Sequence, residues 1–249
     1  MSELAIEINN LSKTFRGKKK EIRALENISL TIFKNEIFGL LGPNCSGKTT
    51  LLRILCTLIP PDKESGGYTI LKNNVVIERK KVRYEIGYVP QQGALYTDLN
   101  PLDNMIFLGF PHFSTKKEVI KRAEDLLKKA NLYDRKKDLV STFSGGMLQK
   151  LSIICSLLHS PDIIFLDEIT VGLDIQTKEE IWNLIKELKK NKTVVLATND
   201  MEEAEGLCDR VAILNKGRIL EVGPVLDLKN KYKTSNLKDV VKKLTYENK

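Results

Sequence analysis

Apolar and polar residues alternate along several short segments in the first third of the chain. The alternation runs from Leu4 to Ile8 and from Ile28 to Phe33, and a similar pattern covers Tyr68 to Val76 and Ile86 to Val89. Successive side chains of a strand point to opposite faces, so this alternation indicates strands with one face buried. The first third is therefore predicted to be rich in β-structure.

The pattern changes at Thr115, where helical periodicity begins. Thr115 and Glu118 have the spacing of a capping box, in which each side chain accepts a hydrogen bond from the other residue's backbone at a helix start. Apolar residues then fall on one helical face. They are Val119, Ile120, Ala123, Leu126, Leu127 and Ala130. We predict a mainly helical lobe over residues from about 93 to 159, inserted between two strand-forming segments.

The second half of the chain has the pattern of a parallel sheet. Ile163 to Leu166 is a continuous apolar run, which is typical of a strand buried on both faces. A helical pattern and a second strand, Thr193 to Ala197, follow it and complete a βαβ unit. Val211 to Leu214 and Arg218 to Val222 flank a turn containing Gly217, which predicts a hairpin.

The last segment carries four apolar residues on one helical face among lysines. Such a face either packs on its own domain or lies on a membrane surface or a partner, and we expect the first. The predicted organisation is a domain of residues 1–225 followed by a basic C-terminal tail of residues 226–249. The four apolar residues are Leu237, Val240, Val241 and Leu244.

Composition narrows the class of protein. With 42% hydrophobic and 29% charged residues, the 249-residue chain resembles a soluble globular protein, and no apolar run approaches the ~20 residues that span a bilayer. The absence of a secretory pattern at the start makes the cytoplasm the expected compartment. Cys45, Cys56, Cys155 and Cys208 lack the spacing of a zinc site or a disulfide framework. The net charge of +8 is spread along the chain, so no nucleic-acid partner is expected.

The clearest chemistry lies between an apolar run, Ile37 to Leu41, and a helical run, Leu51 to Leu58. The segment between them matches GxxxxGK[ST], and a glycine-rich turn that leads into a helix aims several backbone N–H groups at one phosphate. We predict that Lys48 meets the β- and γ-phosphates and that the Thr49 hydroxyl binds magnesium. The candidate nucleotide-binding residues are Gly42, Pro43, Asn44, Cys45, Ser46, Gly47, Lys48, Thr49 and Thr50.

Two carboxylates, Asp167 and Glu168, close the apolar strand that begins at Ile163. They are predicted to emerge at the carboxyl end of the sheet, where open α/β folds bind ligands. We predict that Asp167 holds magnesium through its water shell. Glu168 is predicted to orient and deprotonate an attacking water.

Ser144, Gly145 and Gly146 precede an amphipathic helical stretch and form a second candidate anion site. An ordinary helix cap explains the same residues equally well. A chain with both a phosphate loop and this second helix start favours a two-chain arrangement in which each nucleotide is held by both molecules.

Together these motifs resemble the ATP-binding subunits of ABC transporters, and the resemblance runs from about Leu4 to Gly223. Among subfamilies the chain is most similar to single-domain subunits of exporter-type transporters. The resemblance implies an α/β fold of the P-loop NTPase, ABC type. Such a fold has a mixed sheet core, an N-terminal antiparallel β subdomain and an inserted helical lobe.

The resemblance extends to individual motifs. Gly42–Thr50 is similar to the Walker A loop, Ile163–Asp167 to Walker B with Glu168 as the catalytic glutamate, and Phe143–Met147 to the signature segment. It implies three further roles. Gln91 is the Q-loop glutamine, which acts at the reacting centre and binds magnesium. Asp174 belongs to the D-loop and contacts the nucleotide. Phe15 is the aromatic residue that stacks on adenine.

The family's mechanism implies ATP and Mg²⁺ as ligands and two subunits that dimerise head to tail around two nucleotides. We expect a homodimer rather than a heterodimer. The other implied partner is a transmembrane permease subunit, which would keep the chain peripheral, at the cytoplasmic face of the cell membrane.

Two positions depart from the family pattern. Asn199 stands where the family has a switch histidine, and asparagine donates a hydrogen bond but carries no positive charge. Hydrolysis is therefore expected to be real but slow. Cys45 stands where the family usually has glycine, which predicts a strained backbone and a nucleotide site sensitive to thiol modification.

Two alternatives stay open at this point. The departures at Asn199 and Cys45 also suit an ATP-dependent switch or clamp with little turnover. A soluble ABC-type ATPase that acts on nucleic acid is the other alternative, although relatives of that kind usually have two cassettes or a long coiled coil.

Overall fold

A computed structural model gives the fold of residues 3–17, 20–72, 75–78, 80–92 and 95–246. The predicted start of the helical lobe, at about residue 93, lies outside these residues. The described strands are β1 (Leu4–Arg16), β2 (Glu21–Phe33), β3 (Ile37–Leu41), β4 (Gly67–Lys72), β5 (Val75–Val76), β6 (Ile86–Val89), β7 (Ile163–Asp167), β8 (Thr193–Thr198), β9 (Arg210–Asn215) and β10 (Arg218–Pro224).

The central sheet has six strands in the order β10-β9-β3-β8-β7-β6. Five of these strands are parallel to one another, namely β9, β3, β8, β7 and β6. Strand β10 pairs antiparallel with β9, so the sheet is mixed. Every residue of β3, β7 and β8 is buried. This burial on both faces explains their continuous apolar runs and confirms the prediction of a parallel sheet.

A smaller antiparallel sheet, in the order β2-β1-β4-β5, precedes and covers the central sheet. Strands β1 and β2 extend beyond the predicted segments because β-bulges interrupt their alternation. Asn10 and Asn27 have φ angles of 48° and 51°, the left-handed backbone that asparagine tolerates at such irregularities. The predicted N-terminal β subdomain is thereby confirmed.

The helices lie between and beside these strands, and three of them, α3 to α5, lie within the helical lobe predicted over residues from about 93 to 159. The capping box of Thr115 and Glu118 is present at the start of α4. The described helices are α1 (Lys48–Leu55), α2 (Val82–Glu85), α3 (Pro101–Gly109), α4 (Lys116–Lys129), α5 (Gly145–Ser156), α6 (Ile175–Lys189), α7 (Met201–Leu207), α8 (Val225–Lys231) and α9 (Leu237–Tyr246).

Two hydrophobic cores lie on opposite faces of the central sheet. Phe38 and Leu40 of β3 point into a core shared with α1 and the antiparallel sheet. Ile37 and Leu41 of the same strand point into a second core, which contains residues of α4 to α9. The alternation of strand side chains thus fixes α1, with the phosphate loop at its start, against the face opposite the helical lobe.

The apolar face of α9 is buried in this second core. Leu237, Val240, Val241 and Leu244 are all buried there, so the face packs on its own domain, as expected, and is not left for a membrane surface. The domain boundary at residue 225 stays a prediction. In the part of the chain that the structure describes, no helix is long and apolar enough to cross a bilayer.

The predicted hairpin joins β9 to β10 through Lys216 and Gly217, whose φ angles are 48° and 78°. Two successive positive φ angles are typical of the tight turns that connect such strands. The turn makes two backbone hydrogen bonds outside its sheet: the Gly217 N–H donates to the Ser46 carbonyl at 2.9 Å, and the Gly217 carbonyl accepts from Glu26 N–H at 2.8 Å. The hairpin therefore connects the phosphate loop to the antiparallel sheet.

Candidate functional site

The phosphate loop runs from the end of β3 to the start of α1, and two of its glycines have no room for a side chain. A Cβ added to Gly42 would lie 2.2 Å from the Leu214 carbonyl oxygen, and one added to Gly47 would lie 2.6 Å from the Ala24 carbonyl oxygen. Gly47 also has φ +111°, which side chains disfavour. The loop therefore packs its backbone tightly between the hairpin and the antiparallel sheet.

Cys45 is exposed at the top of this loop and has φ +63°. A residue with a Cβ is strained in this left-handed region, at a cost on the order of 1 kcal/mol. The geometry confirms the expectation of a strained backbone at this position and explains why glycine suits it.

A cavity of about 480 Å³ opens above the loop. The structure brings most of the predicted nucleotide-binding residues to its walls, together with Gln91 and Glu168 from the other side. The lining residues are Phe15, Ile22, Arg23, Ala24, Asn44, Cys45, Ser46, Gly47, Lys48, Thr49, Thr50, Gln91, Glu168 and Lys216. Gly42 and Pro43 lie at the base of the loop, where their carbonyls contact Lys48.

Lys48 is 3% exposed, and its ammonium group is held from three directions. It donates to the carbonyl oxygens of Gly42 at 2.9 Å and Pro43 at 3.2 Å, and its Nζ lies 3.1 Å from Glu168 Oε1. Gln91 Nε2 donates to the other carboxylate oxygen of Glu168 at 3.1 Å. The Lys48 ammonium therefore already contacts one anionic oxygen in the cavity, that of Glu168, and a phosphate oxygen would be bound by the same kind of charged hydrogen bond.

Asp167 and Thr49 form the candidate metal site beside this cluster. The Thr49 hydroxyl donates to Asp167 Oδ1 at 3.0 Å, and the Tyr88 hydroxyl donates to Oδ2 at 3.4 Å. Carboxylate and hydroxyl oxygens are the hard ligands that Mg²⁺ prefers, so the donor set fits this ion. Gln91, the third predicted magnesium ligand, contacts Glu168 instead of the Thr49–Asp167 pair.

The electrostatics of this pair also suit a cation. Burial raises the pKa of Asp167, and the neighbouring Glu168 charge raises it further, whereas the hydrogen bond from Thr49 lowers it. Burial, together with the Asp167 charge, raises the pKa of Tyr88 to about 12, so Tyr88 stays a hydrogen-bond donor at neutral pH. A dication held here would compensate the buried negative charge.

Glu168 has a backbone conformation that is unusual for a residue with a side chain, with φ +49°. Its N–H donates to the Ala197 carbonyl of β8 at 2.9 Å, which fixes the start of the loop after β7. Strained backbone of this kind persists where surrounding contacts enforce it, and it is common at reacting centres. Here it turns the carboxylate toward Lys48.

Asn199 follows directly after β8 and lies against the phosphate loop. Its Nδ2 donates to Asn44 Oδ1 at 2.9 Å. The parallel alignment of β3 and β8 explains this meeting, because Leu41 and Thr198 are register partners and both chains leave the sheet at the same edge. The structure thus places Asn199 beside the residues that would hold the phosphates.

The signature segment is ordered as a helix start. Ser144 caps α5 by accepting from Met147 N–H at 3.3 Å, and Asp174 caps α6 by accepting from Thr177 N–H at 3.0 Å. A Cβ on Gly146 would lie 2.2 Å from Thr177 Cγ2, so the two helix starts pack closely. Among the described residues that line the phosphate-loop cavity, none of Ser144, Gly145, Gly146 or Asp174 appears. Gly145 instead lines a neighbouring cavity, whose walls also include Gln91 and Glu168. The phosphate-loop cavity of one chain thus lacks the predicted contact from the signature segment.

Sequence reasoning missed several residues of the site. Tyr88 could have been found from the pairing of β6 with β7, since it is the register partner of Phe165 and points toward Asp167. Ile22, Arg23 and Lys216 line the cavity because strand β2 and the turn between β9 and β10 approach the phosphate loop. No local spacing in the sequence indicates that approach.

Comparison with known families and proteins gives a consistent picture. Residues 25–171 match the family model described as "ABC transporter". The linearmycin resistance ATP-binding protein LnrL of Bacillus subtilis is 38% identical over 227 residues, which is 90% of this chain and 70% of the relative. The ABC transporter ATP-binding protein NatA of the same organism is 34% identical, over 93% of this chain and 94% of the relative.

Solved structures are similar over most of the chain. A dimeric ATP-binding cassette in a post-hydrolysis state, bound to ADP and Pi, has a TM-score of 0.78 and 30% identity, covering 88% of this chain and 98% of that one. The structure of an ATP-binding subunit of an ABC transporter has a TM-score of 0.82 and 25% identity, covering 97% of this chain and 99% of that one.

Proposed function

This chain belongs to the ABC transporter family, and on that premise we propose that it hydrolyses ATP to power transport by a separate membrane-spanning partner. The observation that carries the proposal is the convergence of Lys48, Thr49, Asp167 and Glu168 at one edge of the central sheet. These residues come from two strand ends, β3 and β7, and provide a phosphate contact, a metal site and a base within one cluster.

The proposed reaction is attack of water on the γ-phosphorus of ATP, giving ADP and phosphate. Glu168 accepts the proton of the attacking water, and Gln91, which donates to Glu168, orients that carboxylate. Lys48 and the N–H groups at the start of α1 hold phosphate oxygens. Mg²⁺, held by Thr49 and Asp167, would neutralise charge on the phosphates.

Slow turnover is part of the proposal. Asn199 lies beside the phosphate loop and donates a neutral hydrogen bond through its amide, where a protonated histidine would provide a positive charge. Loss of one preorganised donor typically lowers a rate by about 10²- to 10³-fold, and a neutral donor in the same place reduces that loss.

We propose that two chains close head to tail around two nucleotides, with the Ser144 helix start of one chain over the phosphate loop of the other. The separation of Ser144 from the phosphate-loop cavity within one chain supports this arrangement, because the second anion site then needs a second molecule. A homodimer is the simplest assembly that meets this requirement.

A surface of aromatic residues on the helical lobe supports a protein partner. Phe107 and Phe110, three residues apart, are 58% and 64% exposed, and Tyr96 packs against Phe107 with a ring-centroid distance of 5.0 Å. Neighbouring exposed aromatics of this kind mark protein contact sites. We propose that this aromatic surface, defined by Tyr96, Phe107 and Phe110, contacts the permease subunit.

Export is the proposed direction of transport. The relative LnrL, which is named for resistance to linearmycin, supports this direction. Resistance to a toxic compound is consistent with removal of that compound from the cell.

The central experiment measures phosphate release from Mg·ATP by the full chain, together with a Glu168→Gln variant and a Glu179→Gln control on the exposed side of α6. We expect turnover in the wild type and the control, and its loss in Glu168→Gln with ATP binding retained. Tight ATP binding with no wild-type turnover above Glu168→Gln would favour the clamp alternative. No ATP binding at all would contradict the proposed function.

A second experiment tests the membrane partner. A Phe107→Ser/Phe110→Ser double variant should lose association with membranes that contain the partner, since the aromatic surface is removed. Leu226→Ser is the matched control, because Leu226 is 66% exposed on α8. Equal membrane association of both variants would contradict the assigned surface, and association with nucleic acid in place of membranes would favour the soluble alternative.

A further inference from the structure

Glu203 of α7 is a carboxyl group that is 0% exposed, and its surroundings connect it to the reacting centre. Its Oε1 accepts two hydrogen bonds, from Thr170 Oγ1 at 2.7 Å and from Trp182 Nε1 at 3.2 Å. The ion pairs found among the described residues do not include Glu203. A buried carboxyl without a cation is costly, so its hydrogen bonds are the feature that keeps it in place.

One hydrogen-bond partner of Glu203, Thr170, and a neighbouring residue, Thr198, belong to the two segments that carry the proposed reacting side chains. Thr170 lies two residues after Glu168, and Thr198, whose hydroxyl faces the same carboxyl group, directly precedes Asn199. Thr170 and Thr198 are themselves buried. Glu203 therefore lies behind the cavity, between the loop that follows β7 and the end of β8.

Placement of Glu168 depends on contacts of this kind. Its φ of +49° is strained, and the structure holds it on one side through the Glu168 N–H bond to the Ala197 carbonyl. The Thr170–Glu203 hydrogen bond holds the same short segment on its other side. A strained residue stays in place only when its neighbours enforce the conformation, and Glu203 is one of those neighbours.

Trp182 makes this arrangement observable. It is the one tryptophan of the chain, and its indole N–H donates to Glu203. Its ring also packs on α7, since a Cβ added to Gly206 would lie 3.2 Å from Trp182 Cζ3. The fluorescence of the chain therefore reports directly on the surroundings of Glu203.

On the basis of the proposed function, we propose that Glu203 is a positioning residue for ATP hydrolysis: by accepting from Thr170 and Trp182 it fixes the Glu168 segment relative to the end of β8. Glu203 does not touch the nucleotide. It acts through Thr170 on the placement of the Glu168 carboxylate, and a displacement of about 1 Å at such a group can lower a rate by about 100-fold.

The test compares Glu203→Leu, which removes the acceptor, with Glu203→Gln, which keeps an acceptor oxygen and nearly the same volume. In the full chain we expect Glu203→Leu to lower kcat for Mg·ATP by about 10- to 100-fold with KM changed by less than about twofold, since positioning acts on the chemical step. Glu203→Gln should stay within about threefold of the wild type. Glu202→Leu, on the exposed side of the same helix, is the control.

A double-mutant cycle separates positioning from general loss of stability. Thr170→Val removes the hydroxyl at nearly constant volume and should lower kcat to a similar extent as Glu203→Leu. The double variant should lose little more, because both changes break the same hydrogen bond. The Trp182 emission of Glu203→Leu should move to shorter wavelength, and that of Glu203→Gln and Thr170→Val should change less, because the indole keeps its acceptor.

The outcomes are distinct. Wild-type turnover with equal kcat in Glu203→Leu and Glu202→Leu would overturn this inference alone, as would fully additive losses in the cycle. If Glu203→Leu does not fold, the kcat of Thr170→Val compared with that of Glu202→Leu decides the question in the same way. Absence of Mg·ATP binding by the wild type would overturn the proposed function and this inference together.

Discussion

The Lys48 ammonium and the Glu168 carboxylate meet 3.1 Å apart in the cavity, where both are largely withdrawn from water. A phosphate that binds to Lys48 has to share or replace this contact. Glu168 is then free to turn toward a water molecule, with Gln91 still donating to it. If Glu168 is the base, as proposed, we expect nucleotide binding at Lys48 to release it from this ion pair.

The first prediction concerns the residue at the switch position. Asn199→His should raise the rate of ATP hydrolysis by about tenfold, because a histidine beside Asn44 can carry a positive charge toward the γ-phosphate. Asn199→Ala should lower it below the wild type. Steady-state phosphate release measures both, with ATP affinity as the control, and a rate for Asn199→His at or below that of Asn199→Ala would contradict the assignment.

The second prediction compares two glycines. Gly47→Ala should lower the free energy of unfolding by about 2 kcal/mol, since the new Cβ meets the Ala24 carbonyl oxygen at 2.6 Å and the backbone has φ +111°. Gly67→Ala is the control, because nothing lies within 4 Å of its added Cβ. Denaturant unfolding compares them. Equal stability of the two variants would show that the loop is not packed as described.

The third prediction is a pH dependence. Burial raises the pKa of Glu203, so the folded state binds its proton more tightly than the unfolded state does. Its favourable contribution to stability is complete below pH 4.5 and is lost as the pH rises through the raised pKa. Glutamine does not titrate, so Glu203→Gln does not lose stability in this way. As the pH rises from 4.5 through the raised pKa, the free energy of unfolding of Glu203→Gln relative to the wild type should increase and then level off.

Denaturant unfolding at a series of pH values measures this difference. Glu202→Gln is the matched control, because that side chain is exposed on the same helix. A relative stability of Glu203→Gln that does not change with pH, or changes as in the control, would contradict the burial of a titrating carboxyl group at residue 203.

The site residues that could be predicted from the sequence are those that form a recognisable motif of neighbouring residues. The phosphate loop and the Asp167–Glu168 pair were predicted because their residues are contiguous, and the roles of these residues stay predictions. Tyr88 and Glu203 were not found, because their partners, Asp167 and Thr170, lie 79 and 33 residues away. Such contacts depend on which strands and helices become neighbours.

At the scale of elements, two helix starts allow a matched test of the signature segment. Ser144 caps α5 and Thr115 caps α4, each by accepting from an N–H three residues on at 3.3 Å. Either change to alanine should lower the free energy of unfolding by about 1 kcal/mol. Only Ser144→Ala should also lower ATP turnover, by about tenfold or more, since a hydrogen bond to a phosphate is lost.

Thermal unfolding and phosphate release measure the two effects separately. Similar losses of turnover in Ser144→Ala and Thr115→Ala would mean that Ser144 acts as an ordinary cap, the alternative that the sequence left open.

Element positions were predicted well where periodicity is unbroken. The α4 capping box, the buried strand β7 and the β9–β10 hairpin each follow from a local pattern, and the structure confirms them. Strand β1 continues to Arg16, beyond the predicted end at Ile8, because a bulge near Asn10 resets the alternation of side chains. A single register shift is enough to hide half of a strand from a pattern of period two.

At the scale of the whole molecule, the proposed head-to-tail arrangement makes the oligomeric state depend on nucleotide. With Mg·ATP, the Glu168→Gln chain should double its mass in light scattering, and with Mg·ADP it should remain at the mass of one chain. Ser144→Ala in the same background is the control and should weaken the dimer. A single-chain mass at saturating Mg·ATP would contradict the homodimer and would favour pairing with a different subunit.

The order of strands in the central sheet could not be predicted from local patterns. Strand β3 lies between β8 and β9, which follow it by more than 150 residues. The βαβ unit predicted in the second half of the chain provides only two of the six strands, β7 and β8. The division of apolar residues between two cores depends on that order, because each strand contributes alternate side chains to opposite faces.

The contact of the Gly217 turn with Ser46 also has a consequence for biosynthesis. Strand β3, which ends at Leu41, can pair with both β8 and β9 only after residue 215 has left the ribosome. The Gly217 turn, which contacts Ser46, is synthesised after that. At about 5 to 20 residues per second, this delay is roughly 10 to 30 s. During that interval the phosphate loop lacks its contact with the Gly217 turn, so the nucleotide pocket is completed only late in synthesis.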